Sequence, residues 1–196
     1  MDHRAARMKK LILDTFLSSL EHQDFSSLTV EKLSETAMIN RSTFYRYFED
    51  KYQLRDMLLD ELISDFTNHL EVDFLDLDIE RDWEYTNTLR KSLESIYTRR
   101  RELDILWNQH ALGRNLFEEM IISGAEKLKR HILQNRQITD EKKQYADWYA
   151  RLLLNNMLVS IRWWFSNSDW IDAAKMTELM KQHMAKGTIP TLKGQR

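Results

Sequence analysis

An all-α fold is what three features of this sequence predict. The 196-residue chain holds four glycines (Gly113, Gly124, Gly187, Gly194) and one proline, Pro190, whereas a sheet-rich domain of this size needs many of both for its turns. Its apolar residues recur at helical spacing, as at Leu11, Ile12, Phe16 and Leu20. The breaks between such stretches are short and polar, as at HQDFSS and SNSD. With 42% hydrophobic and 31% charged residues, the composition is that of a soluble globular protein with a sizeable core.

The first helix carries Leu11, Ile12, Phe16 and Leu20 as one stripe. Thr29 suits the N-cap of a second helix of about two turns, with Glu31 in its first turn and Val30, Leu33 and Ala37 on one face. Met38 and Ile39 interrupt it, and Asn40 is placed to cap a third helix through NRSTFYRYFEDK, residues 40–51. Asp50 is placed to cap a longer fourth helix that buries Leu54, Leu58, Leu62 and Phe66. Amphipathic helices are expected near 82–99, 102–110 and 114–136. Asp140 is expected to cap a long helix to Phe165, SNSD to break it, and a last helix to span 170–186. Gly187 then acts as its stop, with Pro190 beyond and TIPTLKGQR as a loose tail. Two domains follow: an N-terminal three-helix domain over 1–50 and a helical domain over 51–196, about nine helices in all.

Several classes of function are excluded or disfavoured. The chain has no cysteine, so disulfides and thiolate metal sites are absent. No run approaches the ~18 apolar residues of a membrane span. The basic-then-apolar start is interrupted by Asp14 and lacks a small-residue cleavage site, so a cytoplasmic location is expected. The scattered glycines make neither a P-loop nor a G-x-G-x-x-G turn. There is no H-E-x-x-H, and no glutamate stands three residues before a histidine as helical di-iron sites require. No enzyme, cofactor or metal is expected.

The stretch from Thr29 to Tyr47 reads as a short helix, a tight turn and a second short helix. That is a helix-turn-helix, whose second helix enters the DNA major groove. At 3.6 residues per turn, Phe44 and Phe48 share one face and, with Ile39 and Leu33, can anchor it. Ser42 and Arg46 lie opposite, with Thr43, Tyr45 and Tyr47 on the flanks. Arg41 and Arg46 can each fork onto guanine or a phosphate, Ser42 and Thr43 allow close backbone approach, and Tyr45 and Tyr47 reach flanking phosphates. Lys51, beside the start of the fourth helix, can close a phosphate clamp. Asn40 at the cap belongs with this DNA-facing set. The same pattern fits an ordinary amphipathic helix with solvated arginines. Acids and bases cancel over residues 1–51, so there is no basic arm, and Glu21, Asp24, Glu49 and Asp50 must point away from DNA.

LTVEKLSETAMINRSTFYRYFEDKYQL resembles the N-terminal DNA-binding domain of TetR/AcrR-family transcriptional regulators. Thr29, Ala37, Thr43, Tyr45, Tyr47, Phe48, Lys51 and Leu54 fall in register with that family's T-x-x-x-I-A-x-x-A-G-V-S-x-x-T-x-Y-x-Y/H-F-x-x-K-x-x-L pattern. The resemblance covers roughly residues 7–60. It implies phosphate contacts from Thr29, Ser42, Tyr45, Tyr47 and Lys51, and base-edge or mixed contacts from Arg41, Thr43 and Arg46. Two departures stand out. Met38 replaces the family's turn glycine, at a cost of about 1 kcal/mol if a positive φ is needed there. Leu33-Ser34 replaces isoleucine-alanine and is expected to change only packing. The N-R-S-T-F-Y form is similar to a subgroup that includes activators of dihydroxyacetone kinase operons.

The 140–165 helix is apolar nearly all round, so more than one side must be covered. One cover is a second copy of the chain, with Leu154, Leu158, Ile161 and Trp164 joined by Ile171 and Leu179 of the last helix; the other is the interior of its own subunit. The resemblance implies a homodimer built on a four-helix bundle of these two helices, which sets recognition helices roughly 34–36 Å apart on near-palindromic operator DNA. The aromatic middle of the chain suggests an effector pocket lined by Tyr97, Trp107, His110, Phe117, Tyr149, Asn156 and Trp163, or simply a core. The resemblance implies control by a small-molecule effector; a protein coactivator is the alternative within the class, and a helical adaptor without DNA function the alternative outside it.

Overall fold

The structure, a computed structural model, describes residues 3–72, 83–109 and 111–187. His110, Pro190 and the C-terminal tail lie outside the described residues. Ten α-helices and one 3-10 turn form among the described residues, with no strand. They make two compact units, one of residues 1–64 with 101–116 and one of residues 65–100 with 117–196.

In the first unit, α1 (His3–Leu20) buries Ile12, Phe16, Leu17 and Leu20. Leu11, expected on the same stripe, is exposed, because at 100° per residue it falls about 140° from Phe16, the centre of the buried side. The 3-10 turn Phe25–Ser27 carries Phe25 into the core, edge-on to Phe16 at 6.1 Å. Next comes α2 (Val30–Thr36), capped by the Thr29 hydroxyl, which accepts from the Lys32 amide at 3.2 Å.

The turn after α2 explains the missing glycine. Met38 adopts φ +54°; its amide donates to Glu35 O at 3.0 Å and the Ile39 amide donates to Ser34 O at 2.9 Å. These two bonds make a Schellman motif with methionine in the left-handed position. The Met38 side chain is 92% exposed, so the departure from glycine costs backbone strain and no packing. Ser34 departs more than expected: it is buried and its hydroxyl has no hydrogen-bond partner, so the change from alanine is polar as well as steric.

Helix α3 spans only Arg41–Tyr45, shorter than the expected 40–51. Its turn is extended by the bond from the Phe48 amide to Phe44 O at 3.1 Å. α4 (Lys51–His69) begins afresh at Asp50, whose carboxylate accepts from the Gln53 amide at 2.7 Å. α6 (Arg100–Trp107) follows α5 (Trp83–Thr98) in sequence. Residues 101–116 belong to the first unit. Arg101 there forms a two-pronged pair with Glu21, at 3.1 and 3.0 Å, which holds the Glu21 carboxyl below its ordinary pKa.

The second unit contains α5, α7 (Leu116–Gln134), α8 (Asp140–Lys143), α9 (Ala146–Phe165) and α10 (Ala173–Lys186). The expected single helix from Asp140 to Phe165 is two helices. Thr139, not Asp140, caps the first, and Tyr145 at φ −103°, ψ 17° breaks the run before α9. Leu128 and Ile132 of α7 meet Tyr149, Ala150, Leu153 and Leu154 of α9 in the core. Gly124 allows this approach, since a Cβ there would stand 2.7 Å from a Leu154 methyl. Asp172 caps α10 through the Lys175 amide, and Gly187 ends it. No described helix is long and apolar enough to cross a membrane.

Candidate nucleic-acid interface

α3 is anchored on one side only. Phe44 and Phe48 are buried, with ring centroids 5.7 Å apart, while Ala37 and Leu33 are buried on the α2 side. Asn40, Arg41, Ser42, Tyr45 and Arg46 are exposed, and Thr43 and Tyr47 are half-buried on the flanks. Ser42 and Arg46 therefore point away from the interior, as the helical spacing predicts. Asn40 sits at the N-cap, but its side chain makes no capping bond, which leaves its carboxamide facing solvent.

Arg41 and Tyr45 lie one turn apart on the exposed side. Donation to the Tyr45 oxygen, then the charges of Tyr45 and Glu31, raise the Arg41 guanidinium above its ordinary value. The acids that had to point away are accounted for in part. Glu21 is paired with Arg101, and Asp50 is engaged at the start of α4. Glu49 donates its backbone amide to Gln53 Oε1 at 2.7 Å. Lys51 is placed differently from the sequence expectation: its ammonium donates to three backbone carbonyls of residues 25–28.

Known proteins share this geometry. Residues 12–58 match the family model described as "Bacterial regulatory proteins, tetR family". Residues 12–58 thus carry a DNA-binding segment of the TetR type. A curated relative, the uncharacterized HTH-type transcriptional regulator YxbF of Bacillus subtilis (strain 168), is 26% identical over 73 residues. That match covers 37% of this chain and spans only 19% of the relative's length. Among solved structures, a TetR transcriptional regulator from Streptococcus agalactiae 2603V superposes with a TM-score of 0.59 at 17% identity, over 95% of this chain and 97% of its own. The dihydroxyacetone kinase operon activator DhaS gives 0.58 at 14% identity, over 96% and 98%. The fatty acid degradation regulator FadR from Bacillus halodurans gives 0.55 at 16%, over 92% and 95%. These likenesses establish the fold: a TetR-type helix-turn-helix DNA-binding fold followed by a helical C-terminal domain.

The residues expected at an effector pocket and a dimer face are distributed more widely than the sequence suggested. Trp107 is buried in the first unit, and His110 lies outside the described residues. Tyr149 is core; Tyr97 packs at 4.9 Å on Trp164; Phe117 lies under the Arg162 guanidinium. Trp163 is exposed, edge-on to Trp170 at 6.0 Å. Only Asn156 of this set lines the small apolar cleft between α7, α9 and α10, beside Ser160, Met157, Met180, His183 and Met184. Leu154, Leu158, Ile161, Trp164 and Ile171, expected at a dimer face, are all buried in the second unit itself; Leu179 alone of that set is exposed. What α9 and α10 present outward instead is Val159, Trp163 and Leu179 along a shallow groove that also includes Met176. Sequence reasoning missed the other cleft residues; their signal was the four-residue spacing Asn156–Ser160 and Met180–Met184.

Proposed function

We propose that this protein is a sequence-specific, DNA-binding transcriptional regulator that acts as a homodimer on a near-palindromic operator. The observation that carries the reading is the one-sided anchoring of α3: both phenylalanines are buried while Arg41, Ser42, Tyr45 and Arg46 face solvent together. Arg41, Thr43 and Arg46 read base edges or mixed sites, while Thr29, Ser42, Tyr45 and Tyr47 hold phosphates, and Asn40 faces the same surface. The dimer uses the exposed groove of α9 and α10, where Val159, Trp163 and Leu179 are 50%, 46% and 38% exposed. Rings at such positions are typical anchors of an interface. The cleft between α7, α9 and α10 takes an apolar small-molecule effector, whose polar end meets Asn156, Ser160 or His183. An effector acts only through its differential affinity for the DNA-binding and non-binding forms.

Selection from a random duplex pool with the full-length chain, followed by mobility shift, tests the DNA reading. The expected result is a near-palindromic consensus with half-sites one helical turn apart and a complex that weakens steeply with salt. Recovery of no consensus above competitor DNA overturns it. Thermal-shift screening of apolar ligands tests the cleft, with Met157→Trp expected to abolish any shift by filling it.

A further inference from the structure

Lys51 opens α4 beneath the proposed interface, and its ammonium is fully used inside the chain. It donates to the carbonyl oxygens of Phe25 at 2.9 Å, Ser26 at 3.2 Å and Leu28 at 2.7 Å. The remaining carbonyl of that run, Ser27, accepts from the Lys32 ammonium at 3.2 Å. Every carbonyl from Phe25 to Leu28 thus faces a lysine. Below it the Lys51 Nζ stands 4.6 Å from the Phe25 ring centroid and 5.3 Å from that of Tyr52. An ammonium has three N–H donors and no acceptor, so three carbonyls exhaust it. A cation in the first turn of a helix also opposes the helix dipole, and the carbonyls and ring faces offset that cost.

The geometry points to Lys51 as a positioning residue that ties the Phe25–Leu28 turn to the start of α4, and so sets Thr29 and α2, without itself binding a DNA phosphate. The inference rests on the DNA-binding reading above and replaces the phosphate role that the resemblance implied for this lysine. A phosphate could engage Lys51 only by taking an N–H from one of the three carbonyls, and Thr29 directly follows the last of them. Loss of the tether therefore loosens the N-cap of α2 rather than removing a contact.

Two measurements test this. Reductive methylation of lysines in the full-length chain reads Lys51 without any substitution. Lys51 is expected to react several-fold more slowly than exposed Lys9 in the free protein, with no change on adding the selected duplex. A Lys51 as reactive as Lys9, or one protected only by the duplex, overturns the assignment. If selection yields no duplex, the DNA-binding reading fails by itself, and the free-protein comparison still decides whether the tether exists. In Lys51→Met, operator affinity is expected to fall about tenfold, amide exchange over residues 28–33 to accelerate, and the slope of log K against log salt to stay at the wild-type value. A phosphate-binding lysine would instead reduce that slope by about 0.9 per protomer. A reduced slope, unchanged exchange or unchanged affinity each overturns the inference.

Discussion

α3 and α9 make opposite use of their exposed sides. α3 is five residues long, too short to be stable alone, and owes its conformation to Phe44 and the following Phe48. It spends those rings inward and turns donors outward. α9 is twenty residues long with nine of them buried, so its own unit already satisfies its core face. It nevertheless keeps Val159 and Trp163 outward, beside Leu179 of α10. A helix that exposes hydrogen-bond donors is suited to a polyanion, and one that exposes rings after completing its core is suited to another protein surface. The proposed function gives the two faces different partners, and specific DNA reading by a twofold protein needs both.

The largest effect expected is at the anchor. Phe44→Ala removes a fully buried ring and should cost about 3–5 kcal/mol, seen as a much lower thermal midpoint for the first unit and loss of operator binding. If the midpoint barely moves, α3 is not held as described. Next comes the apolar face. Trp163→Glu places a charge in the groove, and sedimentation should show a dimer weakened by about 2 kcal/mol or more, with each chain still folded. A wild-type chain that sediments as a monomer would break the comparison at once. Arg46→Ala, on the donor face, should cost about 1–3 kcal/mol of operator binding and relax base choice at one position per half-site, with the thermal midpoint unchanged. Affinity equal to wild type removes Arg46 from the reading set. The smallest change is internal: Ser34→Ala deletes a buried hydroxyl without a partner and should stabilise the chain by about 1 kcal/mol, or roughly 2–4 °C in Tm.

The same contrast explains what the sequence disclosed. Local chemistry was readable: Thr29 and Asp50 cap the helices they were expected to cap, because a side-chain oxygen and an amide three residues on are fixed by the chain itself. The alternation of buried phenylalanine and exposed arginine followed from a period of 3.6. Partner choice across the fold was not readable. Whether Leu154 or Val159 faces outward depends on what packs against α9, and Gly124 and Leu154 decide that from distant positions in the chain. Lys51 shows the same limit, since its three acceptors lie 23–26 residues upstream. The break at Tyr145 was hidden because the flanking residues are all acceptable in a helix.

The cap on α2 leaves one proton uncommitted. A hydroxyl offers a single hydrogen and two lone pairs, and the Thr29 oxygen spends a lone pair on the Lys32 amide. Its hydrogen remains to be given outward, so a side chain that fastens the helix can also hand a proton bond to an anion passing over the molecule. Aspartate in its place would fasten the helix as well and repel that same anion.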